Sequence, residues 1–309
     1  MIFVVTVALA ASVFYGASDF LGAYTARKLT VLKTSTFVYF TATIVGTLWL
    51  FMSAWTYSDV ALWAGSIAGV FAAVGMVTFY AALAIGPMSL LAPLIALIQT
   101  SIPVVVAAVT GQTLQPIAWV AVAIALVATT LISVPARAET GEPPIERITA
   151  RGGVLAIFAG VTLGLSVVTL DIAPPESGVF PAFLDLAVGL VVLAPFLAFR
   201  RLRTSDAWLN GHPTAAEARL RDAPPVSPAP AGLRIWVLSG VGGVLLGIGN
   251  VLLVVALHAG NLAVVAVLVS LYPLATVLLA WFLLKERISR VQFLGVALAI
   301  TAAVLLGVS

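Results

Sequence analysis

Ten apolar runs, each about 20 residues long and each closed by polar or Pro/Gly breaks, limit what this chain can fold into. They cover 2–24, 34–56, 60–85, 87–110, 115–134, 152–172, 179–199, 234–257, 262–284 and 288–308. A helix needs about 20 mostly apolar residues to cross the hydrocarbon layer of a bilayer. The runs are continuous rather than alternating, which is not the pattern of barrel strands of about ten residues. Only 9% of the residues are charged, against about 25% in soluble domains, so the chain lacks the polar surface to cover a water-exposed core. The expected fold is an all-α membrane protein with ten transmembrane helices. The first run starts almost at Met1 with no basic segment ahead of it, and reads as a span rather than a cleaved signal.

The charges sort by side. Arg27, Lys28 and Lys33 fall between spans one and two, and Arg137, Arg147 and Arg151 between spans five and six. Arg200, Arg201, Arg203, Arg219, Arg221 and Arg234 fall between spans seven and eight, and Lys285, Arg287 and Arg290 between nine and ten. These are all fifteen basic residues, and the opposite side carries only Asp59, Asp171 and Glu176. The positive-inside rule then places the odd-numbered loops in the cytoplasm and both termini outside. The localisation expected is a multi-pass protein of the plasma (inner) membrane. A basic chain can also signal nucleic-acid binding, but here the charges are topogenic and no nucleic acid is expected. With no cysteine and two distant histidines, His212 and His258, neither disulfides nor zinc or di-iron chemistry has ligands to use, and no cofactor is expected.

The chain also repeats itself. Residues 61–135 lie on 235–309 without a gap, so that Gly69 meets Gly243, Gly75 meets Gly249 and Gly86 meets Gly260. The first two spans need a smaller offset, near 148, where Gly16 meets Gly164. Two five-span units of odd count lie upside down to each other, as inverted-topology repeats. The division is 1–135 for the first repeat, 136–151 for a cytoplasmic linker, and 152–309 for the second repeat with a polar insertion at about 200–233. The insertion is Pro-rich near its end and reads as disordered, with a short helix around 215–221. Inverted repeats suit a carrier, because rocking of one half against the other exposes a midplane site to alternate sides.

Several segments resemble the EamA family of the drug/metabolite transporter superfamily. Tyr80-Ala81-Ala82-Leu83 through Gly86-Pro87-Met88-Ser89 and Ala92-Pro93 is similar to its third-to-fourth-helix signature. Leu271-Tyr272-Pro273, Leu283-Leu284-Lys285-Glu286-Arg287, Gln292 and Gly295 resemble its closing signature. Tyr15-Gly16-Ala17-Ser18-Asp19-Phe20-Leu21-Gly22 is similar to a first-helix motif of some bacterial members. The resemblance implies a 5+5 helical fold and a central cavity lined by the first, third and fourth helix of each half. It also implies metabolite export or uptake, with no single substrate. One position departs from the pattern: Gln112 stands where members often carry an acid, equivalent to Glu286 in the second half.

A polar side chain inside a span must find a partner or face a cavity. Asp19 is the only acid in span one, about 9 Å from the cytoplasmic boundary at 1.5 Å per residue. It is a candidate for proton coupling, with a snorkelling pair to Arg27 at i+8 as the structural alternative. Asp185 is a second coupling candidate, although the resemblance makes its helix peripheral and favours structural pairing. Asp171 is expected to face the outer loop. Gln99 falls mid-span between Pro93 and Pro103, whose freed carbonyls a cavity can use. Tyr15, Ser166, Asn250, Ser270 and Tyr272 complete a polar belt at similar depth, and with Gln99 they are the expected substrate-binding residues. The pairs Gly65/Gly69, Gly160/Gly164 and Gly243/Gly247 are spaced for close helix packing, not for a phosphate loop.

The expected function is a secondary transporter, not an enzyme, for a small neutral, zwitterionic or hydrophobic cationic metabolite, with proton-coupled export as one mode. The alternative is an intramembrane enzyme acting on a lipid or isoprenoid, which would want its acids clustered rather than scattered. Partners expected are the small-molecule substrate and the lipid bilayer, and a homodimer is compatible with the sequence.

Overall fold

The computed structural model describes residues 1–26, 28–85, 88–112, 115–132, 149–200, 232–275 and 289–308. These residues hold ten α-helices, one 3-10 turn and no strand. The first five helices are α1 (Ile2–Ala26), α2 (Val31–Met52), α3 (Asp59–Ile85), α4 (Met88–Val109) and α5 (Pro116–Ile132). The second five are α6 (Ala150–Asp171), α7 (Phe180–Arg200), α8 (Leu233–Ala259), α9 (Leu262–Val269) and α10 (Arg290–Val308). Seven of them, α1, α2, α3, α6, α7, α8 and α10, are long and apolar enough to cross a bilayer, and shorter apolar helices lie in the regions of α4, α5 and α9. The protein is a multi-pass membrane protein. Phe3, Leu48, Val105, Val191 and Phe293 are all more than half exposed, as side chains facing lipid should be.

Two boundaries differ from the sequence reading for local reasons. α2 begins at Val31, not 34, because the Thr30 hydroxyl caps it by accepting from the Lys33 N–H at 3.3 Å. The ninth run is not one continuous helix: α9 stops at Val269, and Ser270 and Leu271 form a turn before helix resumes at Tyr272. Pro273 accounts for the break, since it has no N–H to give and its ring crowds the carbonyl four residues back. The polar insertion and nearly all of the linker lie outside the described residues, as do Arg27, Gly86 and Glu286.

Lipid offers no hydrophobic drive between helices, so close packing through small residues must hold them. The three glycine pairs do this. A Cβ at Gly65 would come within 2.8 Å of Leu184 on α7, one at Gly160 within 2.7 Å of Ile98 on α4, and one at Gly247 within 2.8 Å of Val45 on α2. The pairings recur with the halves exchanged: α3 packs on α6 and α7, while α8 packs on α1 and α2. Gly69 abuts the Asp185 carbonyl and its sequence counterpart Gly243 abuts the Val38 carbonyl. Gly75 faces Leu163 of α6 as Gly249 faces Phe14 and Tyr15 of α1.

The apolar interior forms two clusters. One gathers the start of α1 and α3 with the ends of α6 and α8, including Ala8, Ala64, Leu170 and Val254. The other gathers the opposite ends, including Ala26, Tyr80, Ile95 and Ala156. Tyr15 packs against both, and the space between them is where the polar residues collect.

Candidate functional site

A cavity of about 70 Å³ lies between the two clusters. Its polar lining is Tyr15 and Asp19 from α1, Tyr39 from α2, Gln99 from α4, Ser166 from α6, Asp185 from α7, Asn250 from α8, and Tyr272 beyond α9. Apolar walls come from Met76 and Phe79 on α3, Leu163 and Leu170 on α6, and Leu246 and Leu253 on α8. Ligand sites commonly enclose about 300–1,000 Å³. In this conformation the cavity therefore accommodates water or the head of a small ligand, and a larger metabolite requires it to open.

Seven of the eight candidate site residues meet here, and Ser270 does not. Its hydroxyl turns back to donate to the Val267 carbonyl at 2.7 Å, the usual way a serine satisfies itself on a helix. It borders a separate void of about 10 Å³ instead. The first, third and fourth helix of each half do contribute to the lining, and two further helices join them. α2 contributes Tyr39, and α7, expected to be peripheral, contributes Asp185 and Leu186.

The two acids sit in unlike settings. Asp185, 2% exposed, accepts hydrogen bonds from the Asn250 amide and from the Ser166 hydroxyl, the latter at 3.5 Å. Those partners answer the need of a buried carboxylate for donors. Asp19 is half-buried against the cavity and accepts no hydrogen bond from any described residue. It lies within electrostatic reach of Tyr15, Tyr39, Tyr80 and Tyr272, and Tyr15 and Tyr39 also feel Asp185. No Lys, Arg or His is among the described lining residues, so the cavity presents acids with no built-in counter-cation.

Two tyrosines escaped the sequence reading. Tyr39 falls only five residues into the run 34–56 and looks interfacial there, whereas the true start of α2 carries it deeper. Tyr80 does not line the cavity, but its hydroxyl is buried beside Gly22, where any Cβ would collide with it. The signal for Tyr80 was the glycine three residues after Asp19.

Outside the cavity, Gln112 ties three helix ends together. Its amide donates to Asp171 at the end of α6 (3.5 Å), and its carbonyl oxygen accepts from the Leu262 N–H that opens α9 (3.2 Å). Asp171, half-exposed, needs a donor, and the Gln112 amide supplies one. Gln112→Glu should then cost about 1–2 kcal/mol at neutral pH, from the lost hydrogen bond and the facing carboxylates. The cost should shrink on acidification, because protonating either carboxyl removes the repulsion and restores a donor. Thermal melts of both proteins from pH 7.5 to 5 check this; a gap that is constant across pH counts against it.

No curated protein matches the chain. The crystal structure of another protein superposes with a TM-score of 0.69 over 98% of this chain and 95% of that one, at 16% identity, and so shares the fold. The sequence model of the EamA-like transporter family matches residues 150–308, just over half the chain, and the protein accordingly belongs to the EamA family of the drug/metabolite transporter superfamily.

Proposed function

We propose that the protein is a secondary carrier for a small neutral, zwitterionic or hydrophobic cationic metabolite. It works by alternating access between two inverted five-helix repeats, with export coupled to protons. The observation that carries this reading is the small polar cavity closed between two apolar clusters and lined from both halves. A carrier needs such a site at the midplane, shielded from both sides in an intermediate state. The matching environments of Gly69 and Gly243, and of Gly75 and Gly249, support the repeat, since each glycine meets the corresponding helix of the other half. Family membership supports transport over catalysis.

Asp19 is the coupling candidate of choice, because Asp185 already has its donors and Asp19 has none among the described residues. A carboxylate in such a place must be hydrated, paired or protonated, and its proton affinity changes as the cavity opens to one side or the other. The titratable side chains within its electrostatic reach are Tyr15, Tyr39, Tyr80 and Tyr272. The test is flux across proteoliposomes under an imposed pH gradient, with a panel of neutral, zwitterionic and cationic solutes. At least one solute should move faster than through empty liposomes, and if none does the reading is wrong.

The one-sided basic residues support a topology with both termini outside the plasma membrane. A C-terminal reporter that works only in the cytoplasm should therefore stay silent. A strong signal would invert the orientation.

A further inference from the structure

We propose that the cavity recognises a small organic ammonium ion, held by the Asp19 carboxylate with the hydroxyl oxygen of Tyr272 as a further acceptor. This rests on the carrier reading and narrows its substrate to one chemical class.

The argument starts on α1. Asp19 has Gly16 three residues before it and Gly22 three residues after, so all three lie near one helix face. Each glycine lets another helix reach the acid. A Cβ at Gly22 would strike the Tyr80 hydroxyl, and one at Gly16 would strike the Tyr272 carbonyl and approach Ala275 to 2.8 Å. The first-helix motif is thus a carboxylate between two notches, one filled by the Tyr80 ring and hydroxyl and the other by the Tyr272 backbone and Ala275.

Both tyrosine hydroxyls are buried, Tyr80 at 1% and Tyr272 at 5% exposure, and neither has a hydrogen-bond partner among the described residues. Buried hydroxyls left so cost free energy, and such groups in a native structure call for an explanation. The open Asp19 carboxylate lies within electrostatic reach of both. The Asp19 carboxylate oxygens and the Tyr272 hydroxyl oxygen line one cavity and can accept from the N–H donors of a primary ammonium. The rings of Tyr15, Tyr39 and Phe79 line the same cavity and present faces that attract a cation. Asp185 is not the competing site, because Asn250 and Ser166 already donate to it. An anionic ligand would meet acids and no described base. A neutral one would offer the ionised form of Asp19 no counter-charge.

The test uses the purified full-length protein in detergent and calorimetric titration with n-alkylammonium ions from methyl to butyl. The matching n-alkanols serve as neutral isosteres. At least one ammonium should bind saturably, about 100-fold more tightly than its alcohol. Asp19→Asn should lose about 100-fold, and Tyr272→Phe about 10-fold, since each removes a hydrogen bond to a charged group. Failure of every ammonium to bind, or equal affinity for the ammonium and its alcohol, overturns the proposal. So does unchanged affinity in a folded Asp19→Asn protein. If that variant does not fold, the ammonium-to-alcohol ratio of the natural protein and the Tyr272→Phe value decide. Binding without flux in proteoliposomes would retire the carrier and keep the site. Solute flux that excess alkylammonium fails to inhibit would retire the site and keep the carrier.

Discussion

Asp19→Asn is expected to reduce pH-gradient-driven flux to the level of empty liposomes while the protein still folds and inserts. The asparagine keeps the shape and removes the one carboxyl group among the described cavity residues that lacks hydrogen-bond donors. Stability should change by no more than about 1 kcal/mol, because no described hydrogen bond to the carboxylate is lost. A purely structural role predicts the reverse. If Asp19 served only as a partner to Arg27, which lies outside the described residues, Asn would cost stability, Arg27→Ala would mimic it, and coupled flux would persist. Measuring flux and melting for both variants separates the two accounts.

The second large effect concerns packing. Gly69→Val and Gly243→Val should each destabilise the protein by about 3 kcal/mol, at the upper end of overpacking costs. At both positions the added carbon meets a backbone carbonyl of the facing helix, which cannot rotate away as a side-chain tip can. Gly307 on α10 is the control: nothing lies within 4 Å of its would-be Cβ, so Ala there should be neutral or stabilising by up to about 1 kcal/mol. Thermal denaturation of the three variants in one detergent reads all of this. A mild effect at Gly69 beside a severe one at Gly243 would argue that the halves do not pack alike.

The helices were legible in the sequence because a span is written in length and hydropathy, which twenty adjacent residues carry together. The turn at Ser270 was less so, since Pro273 kinks some helices and interrupts others, and the outcome depends on neighbours. The cavity belt was legible wherever a polar group in an apolar run had no local partner: Tyr15, Asp19, Gln99, Ser166, Asn250 and Tyr272. Ser270 misled because a serine on a helix can satisfy itself within one turn. Asp185 is paired, as the sequence reading favours, but only the fold shows that its partners are Ser166 and Asn250 and that its helix reaches the cavity. Tyr80 was hidden because its relation to Asp19 runs through a glycine on another helix, a contact that no spacing along one helix reports.

The glycines repeat between the halves, but the acids do not. At the offset that brings Gly16 onto Gly164, Asp19 falls on Val167. By the paired contacts of Gly69 and Gly243, Asp185 corresponds to Val38. If the protein works as the proposed carrier, related halves would give its inward-open and outward-open forms nearly equal energy, and the scaffold would be close to indifferent between them. Whatever resting preference the protein has must then come from residues without a twin. Two unmatched carboxyl groups inside a membrane would, whenever ionised, also feel its voltage, at about 2.3 kcal/mol per charge per 100 mV for a full crossing. Even a fraction of that, as the proposed carrier shifted its access, would skew an otherwise balanced pair of states, and Asp19 and Asp185 would then bias its resting orientation.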